Sequence, residues 1–332
     1  MRVLVLGGTK FVGRLCASEA VSRGHQVTVF NRGSRPAVDG VTTLVGDRLE
    51  PKDLAQLDTL SFDVVIDTWH GDPDAVKRAL QTLRARIHHY IYISSVSVYR
   101  KHDEHGATVG SVTEDVPLLD LDAAPTQYAR NKVAGEMNVV RSGVPSALLR
   151  AGVILGPGEC QGQRLPTWLR RMDKGGPTLA PGPRDMGLQF IDVRDLASFV
   201  IDVAEKRLTG PCNVASASGH TTWGDFLDTA NRTVGDAARL CWLEPDKVAA
   251  AKLEPWTELP LWLPPDKSAG FYSADVTKAM AQGLRIRPAS ETIQDTWAWM
   301  KSAAAEEDTG TLLGLDPDKE AKILEEHFAD VL

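Results

Sequence analysis

The feature that most constrains this chain is the passage from strand to helix at its start. Val3-Leu4-Val5-Leu6 is a continuous apolar run, as a strand buried on both faces requires. It ends in Gly7-Gly8-Thr9-Lys10-Phe11-Val12-Gly13, and a helical pattern over 14–23 follows at once, closed by Gly24 in a C-cap position. Glycine allows the tight bend and a close backbone approach, and a helix start presents unpaired N–H groups to a pyrophosphate. This order of elements predicts a dinucleotide cradle built from Gly7, Thr9, Lys10, Phe11, Val12 and Gly13.

The alternation continues. Strand-like runs lie at 26–30, 42–45, 63–67, 90–94 and 146–154, and helical ones at 53–57, 74–87 and 128–141. Such alternation predicts an α/β fold, a Rossmann doubly wound parallel sheet over residues 1–155. After Gly156-Pro157-Gly158 the segments shorten, and Pro and Trp become frequent. Residues 156–332 are expected to form a smaller C-terminal α/β substrate-binding region, the chain returning to the Rossmann sheet near 189–215. Strands are expected at 189–193 and 212–215, an amphipathic helix at 316–328, and a surface loop at 100–126.

Composition removes several classes. The net charge of −7 over 332 residues, with scattered Arg and Lys, argues against a nucleic-acid partner. Cys16, Cys160, Cys212 and Cys241 are far apart and read as reduced thiols, not as a disulfide frame or zinc site. His88-His89 and His102/His105 lack metal-ligand spacing, so no metal is expected. No run is long enough to span a membrane, and the apolar start is too short for a signal peptide. A cytoplasmic protein with a small-molecule substrate is the expectation.

Which nicotinamide the cradle takes is read from the end of the second strand. An NAD enzyme usually carries Asp or Glu there for the ribose 2′-hydroxyl, whereas this chain has Asn31-Arg32, with Lys10 inside the turn. A neutral amide beside cations suits a 2′-phosphate, so NADP(H) is favoured over NAD(H). Tyr128 and Lys132 stand four residues apart on an expected helix, hence on one face. A phenol of ordinary pKa, about 10, is too weak an acid to serve as a base near neutrality, and a neighbouring ammonium favours its ionised form. Ser94-Ser95 closes the strand expected at 90–94, placing a serine at the carboxyl edge where open α/β sheets bind ligands.

With these residues in place the chain resembles the extended short-chain dehydrogenase/reductases, the NAD-dependent epimerase/dehydratase family, over nearly its whole length. The likeness rests on the glycine turn, Gly46-Asp47-Arg48, Ser94-Ser95-Val96-Ser97-Val98-Tyr99, Tyr128 with Lys132, Leu149-Arg150 through Gly156-Pro157, and Phe190-Ile191-Asp192-Val193. The resemblance implies catalysis by Ser95, Tyr128 and Lys132. Tyr128 would be the acid/base, Lys132 would hold the nicotinamide ribose and lower the phenol, and Ser95 would bond the substrate oxygen. It places Asp47 and Arg48 by the adenine and lines the cofactor with Thr68 and Trp69. It points to Val96, Val153, Trp168 and Gln189 around the substrate, and to a homodimer formed through helices 74–87 and 128–141.

Departures from the family pattern narrow the chemistry. The form Gly-Gly-Thr-Lys-Phe resembles a branch that holds actinobacterial reductases and a chloroplast RNA-binding protein. Val96-Ser97 stands where dehydratases carry Asp-Glu, which removes the acid and base that elimination needs. Leu188 and Val153 replace an Arg and an Asn with which sugar-nucleotide enzymes of the family hold substrate. The expected activity is an NADP(H)-dependent oxidoreductase, a reductase of a small-molecule carbonyl. The alternatives are an NAD-dependent epimerase with tightly bound cofactor and a non-catalytic nucleotide- or RNA-binding protein.

Overall fold

The computed structural model describes residues 1–100, 112–115, 118–160, 162–302 and 313–331. The expected alternation is observed as β1 (Arg2–Leu6), α1 (Phe11–Ser22), β2 (Gln26–Asn31), β3 (Val41–Val45), α2 (Pro51–Leu54), β4 (Val64–Asp67), α3 (Asp74–Leu83) and β5 (Tyr90–Ser95). Next come α4 (Gln127–Arg141), β6 (Ser146–Ala151) and β7 (Val153–Leu155). Of the stretch expected as a surface loop, 101–111 and 116–117 lie outside the described residues, as do His102 and His105. Val112 and Leu118 make bridges to Ala274 and Tyr99.

The second half supplies α5 (Arg164–Asp173), β8 (Gly176–Pro181), β9 (Gly187–Leu188), β10 (Phe190–Asp192), α6 (Val193–Lys206) and β11 (Gly210–Val214). It continues with β12 (Thr221–Thr222), α7 (Trp223–Val234), β13 (Ala238–Leu243), α8 (Pro245–Ala250), α9 (Pro265–Phe271), α10 (Thr277–Gln282), α11 (Ala289–Met300) and a C-terminal helix, Pro317–Phe328.

Seven strands form a parallel sheet in the order β11-β6-β5-β4-β1-β2-β3. All of β4 and β5 and most of β1 are buried, because helices cover both faces, and their sequences are correspondingly apolar. β3, at the edge, has no fully buried residue, and the adjacent Thr42 and Thr43 are exposed on opposite faces. Strand order reverses between β1 and β4. That crevice, at the carboxyl ends of the strands, is where such sheets bind ligands.

The single strand expected at 146–154 breaks at Gly152. A Cβ there would sit 3.0 Å from that of Ala215, and the Gly152 N–H donates to the Val214 carbonyl at 3.0 Å. β6 therefore stays in the sheet while β7 leaves it to pair with β10. The expected return to the sheet is made by β11, which pairs with β6, whereas Phe190–Asp192 does not join it. Small residues let α6 lie close against α1: Cys16, Ala17 and Ala20 share a buried cluster with Ala197, Val200 and Ala204. Arg23 adds ion pairs to Asp202 at 2.6 Å and Glu205 at 3.1 Å, which at this partial exposure contribute little beside the packing.

The second core is aromatic. Trp168, Trp223, Phe226 and Trp262 are buried between α5, α7 and the β8–β13 pair, each indole N–H donating to a backbone carbonyl. Among the described residues no helix is long and apolar enough to cross a membrane.

Candidate active site

The glycine turn has the geometry its residues allow. Gly7 and Gly8 take φ of 117° and 87°, in the left-handed region that favours glycine. A Cβ on Gly13 would lie 2.7 Å from the Gly8 nitrogen, so this position keeps α1 flush against the turn. Phe11 reaches φ 34° without being glycine, a strain of the sort that functional turns hold. Lys10 is the N-cap of α1 but supplies no side-chain cap, which leaves first-turn N–H groups for an anion. Thr68 stands behind the turn, its Oγ1 3.2 Å from where a Gly7 Cβ would be.

At the end of β2, Asn31 Oδ1 accepts the Gly33 N–H at 2.8 Å, which fixes the amide. Its Nδ2 is buried with no hydrogen-bond partner among the described residues. A buried donor left this way is costly unless a ligand completes it. Lys10 and Arg32 are exposed nearby in the chain. Asp47 folds into a local turn, accepting the Leu49 N–H at 2.9 Å.

Arg48 is turned inward. Its guanidinium makes a bidentate pair with Asp67, at 2.6 and 2.8 Å, beneath the Trp69 ring at 4.9 Å. Burial would raise the Asp67 carboxyl, but Arg48 and the Tyr90 hydroxyl overcome it and hold the group below its ordinary value. Asp67 also accepts the Trp69 N–H, so the pair fixes the turn after β4. The sequence reading placed Arg48 at the cofactor. In the structure it supports that wall from behind, and the missed partner is Asp67.

The two serines ending β5 face opposite ways, as successive strand residues must. Ser94 donates to Glu136 at 2.5 Å, inside the fold. Ser95 reaches the cleft, accepts the Ser97 N–H and hydrogen-bonds Tyr128. Thr126 caps α4 through the Ala129 N–H, and the helix carries Tyr128 and Lys132 on one face.

Lys132 is buried, its Nζ donating at 2.6 Å to both the Trp69 and Ile93 carbonyls and lying 4.8 Å from the Tyr92 ring centre. Burial brings its pKa down to about 7, although Asp67 and Glu136 pull the other way. Tyr128 keeps 42% of its surface open, yet burial around the phenol raises its pKa; Ser95 and the charge of Arg164 draw it partly back. Lys132 stands 5.9 Å from the Tyr128 ring centre.

Glu136 is one helical turn beyond Lys132, and the rungs 128, 132 and 136 run down one face. It forms a bidentate pair with Arg150, at 3.0 and 2.9 Å, and Arg150 meets the Tyr99 hydroxyl at 3.1 Å. This network locks β5, β6 and α4 together under Ser95, Tyr128 and Lys132. Only Arg150 was picked out by sequence reasoning; the same four-residue spacing would have found Glu136.

On the substrate side Val96 and Val153 are buried apolar groups. Gln189 is buried too, and its amide is used within the fold: Nε2 donates to the Ser216 and Ala274 carbonyls, and Oε1 accepts the Ala274 N–H. Trp168 donates to the Pro260 carbonyl at 2.7 Å and stacks edge-on against Trp223. It lines a cavity of about 550 Å³ between α5, β8 and the C-terminal helix, a space that Ser95, Tyr128 and Lys132 do not line. The site is therefore located by its chemistry and not by cavity size.

A parallel sheet with a glycine cradle beside its switch point, and Ser95, Tyr128 and Lys132 next to it, is the architecture of the extended short-chain dehydrogenase/reductases. The NAD dependent epimerase/dehydratase family model matches residues 3–215, and the chain belongs to that family. It is 28% identical over 220 residues to the chloroplast stem-loop binding protein of 41 kDa b of Arabidopsis thaliana, covering 61% of this chain and 54% of that protein. It is 28% identical over 219 residues to 2-alkyl-3-oxoalkanoate reductase of Stenotrophomonas maltophilia, covering 60% and 64%. The chain thus spans less than two thirds of the length of either relative. Its fold is similar to that of the Bordetella bronchiseptica enzyme WbmG, solved in complex with NAD and UDP, with a TM-score of 0.69, 19% identity and coverage of 93% and 97%.

Proposed function

We propose that this chain is an NADP(H)-dependent reductase of a small-molecule carbonyl. The observation that carries the reading is Tyr128: open to the cleft, hydrogen-bonded to Ser95, and holding its proton more firmly than an ordinary phenol. Reduction of a carbonyl needs a proton donor at the new alkoxide, and the protonated phenol is the required form. Ser95 shares the oxygen with Tyr128 and orients it. Lys132 reaches from α4 to the cofactor side, where it would hold ribose hydroxyls.

The cradle fits a dinucleotide: the uncapped start of α1, the glycines that admit no Cβ, and the orphaned Asn31 Nδ2 lie along the carboxyl ends of β1 and β2. A bound nicotinamide supplies the hydride. Asn31 would bond the adenosine ribose, and Lys10 and Arg32 would meet a 2′-phosphate. The end of β2 carries no carboxylate to repel that phosphate.

Leu188 and Val153 favour reduction of a less polar compound over epimerisation of a sugar nucleotide, since both are buried apolar groups. A relative named as an oxoalkanoate reductase agrees with this direction. The test is nicotinamide absorbance on mixing enzyme, NADPH and a panel of ketones and aldehydes. Consumption of NADPH is expected. Cofactor that survives purification as NAD, with no net absorbance change on any carbonyl, would instead identify an epimerase.

A further inference from the structure

We propose that the cavity between α5, β8 and the C-terminal helix is a second binding site, which takes an anionic amphiphile of the medium-chain carboxylate class. Its volume, about 550 Å³, falls within the roughly 300–1,000 Å³ of small-molecule sites. Ser95, Tyr128 and Lys132 do not line it, so its ligand is bound apart from the reacting groups.

The walls are mainly apolar. Trp168, Leu179, Leu259, Pro260, Leu315 and Leu324 line the space, and the Trp168 indole N–H is already used on the Pro260 carbonyl at 2.7 Å. Such walls suit a hydrocarbon chain.

The charged lining groups fall into two sets. Arg171, Glu320 and Glu258 are answered within the fold. Arg171 pairs with Glu320 at 2.7 Å and donates to the Gly175 and Pro177 carbonyls. Glu320 also accepts the Leu179 N–H at 2.9 Å, and Glu258 accepts Lys319 at 2.8 Å through both oxygens.

Arg170 and Lys174 are left over. Thr167, Arg170, Arg171 and Lys174 recur at helical spacing, so one face of α5 and its C-cap turns toward the cavity. Arg170 is half-buried and donates to Gln163 Oε1 at 2.7 Å through Nη1 alone. Lys174 is exposed, and neither cation forms an ion pair among the described residues. Burial without a counter-charge also draws the Arg170 guanidinium below its ordinary pKa. A planar fork with donors to spare, one helical turn from an ammonium, matches a carboxylate. Apolar walls and two unanswered cations together select a negative head on a hydrocarbon body.

Calorimetry on the whole chain with decanoate, decanamide and decyltrimethylammonium tests the site. Decanoate should bind, decanamide should bind about tenfold or more weaker, as a lost charge-assisted hydrogen bond predicts, and the cation should not bind. Arg170→Met should erase the preference for decanoate over decanamide, and Arg170→Lys should recover part of it. Ala321→Trp, at an exposed position of the C-terminal helix that lines the cavity, should abolish binding by filling the space. The two sites of substitution lie on separate elements, so a loss of folding at one, read by urea unfolding, leaves the other to decide. NADPH affinity should stay at the wild-type value in every folded variant.

Absent decanoate binding, equal affinity for decanoate and decanamide, or a preference that survives Arg170→Met would overturn the proposal. Binding that Ala321→Trp leaves intact would place the amphiphile elsewhere, the catalytic cleft included, and also overturn it. Loss of NADPH affinity together with decanoate in Arg170→Met would show a structural role and do the same. None of these outcomes depends on turnover, so the reductase reading stands or falls separately.

Discussion

Asn31 and Gln189 carry the same amide on opposite walls of the cleft, and the fold treats them differently. Asn31 keeps a buried Nδ2 without a partner at the end of β2, beside the exposed Arg32. Gln189 gives both ends of its amide to the Ser216 and Ala274 backbone. The cofactor wall thus holds polar groups ready for a ligand rich in charge and hydroxyls. Around Gln189 the polar groups are taken up within the fold, and Val153 and Val96 are buried in apolar clusters.

Three experiments would break or sharpen that contrast. The largest effect is expected at the seam between the walls: Tyr128→Phe should lower kcat by about 10²- to 10⁴-fold while leaving NADPH affinity nearly unchanged. Steady-state kinetics and a fluorescence titration measure the two, and substantial residual turnover would move the acid elsewhere.

Behind the cofactor wall, Arg48→Met leaves Asp67 buried without its counter-charge, so a loss of roughly 3–5 kcal/mol is expected in urea unfolding. A variant of wild-type stability with weakened cofactor binding would return Arg48 to a direct role. On the cofactor wall itself, Asn31→Asp should shift preference from NADPH toward NADH by about tenfold or more, through repulsion of the 2′-phosphate and a new ribose contact. The ratio of kcat/KM values for the two cofactors reads this, and an unchanged ratio would remove β2 from the discrimination.

A separate test concerns Glu159, whose carboxyl is lifted by burial from 4.5 to about 7. Between those values the unfolded chain has lost the proton that the folded chain keeps. Stability therefore falls as pH rises through this window. Glu159→Gln has no such proton, so it should match the wild type near pH 4.5 and gain on it toward pH 8. Melting temperatures across that range give the comparison, and parallel curves would mean the carboxyl titrates normally.

Much of this was legible in the sequence because it depends on local order. The glycine turn, the strand that ends in Ser95, and the four-residue step from Tyr128 to Lys132 each follow from spacing alone, and the structure brings them to one crevice. The inward turn of Arg48 was not legible because its partner, Asp67, ends β4, far along the chain, and no local pattern says which way a long side chain turns. Trp168 and Gln189 were placed near substrate by likeness, yet their polar atoms are satisfied by segments around 216, 260 and 274, contacts that only the tertiary fold creates. The break at Gly152 was hidden for a similar reason: the apolar run continues through it, and Ala215 decides where the strand must bend.

The return of β11 to the far edge of the sheet sets a rule for rebuilding this molecule. The chain leaves the sheet after β6, makes α5 and β8, and comes back to hydrogen-bond with the strand it left. A fragment cut at residue 155 would strip β6 of that neighbour and bare a row of backbone donors and acceptors, an invitation to pair with another chain. New substrate pockets therefore cannot be grafted by exchanging everything beyond a single splice point. A transplant must leave α6 and β11 with the sheet and exchange the segments on either side of them, with joints at Gly152, before Val193 and after Val214.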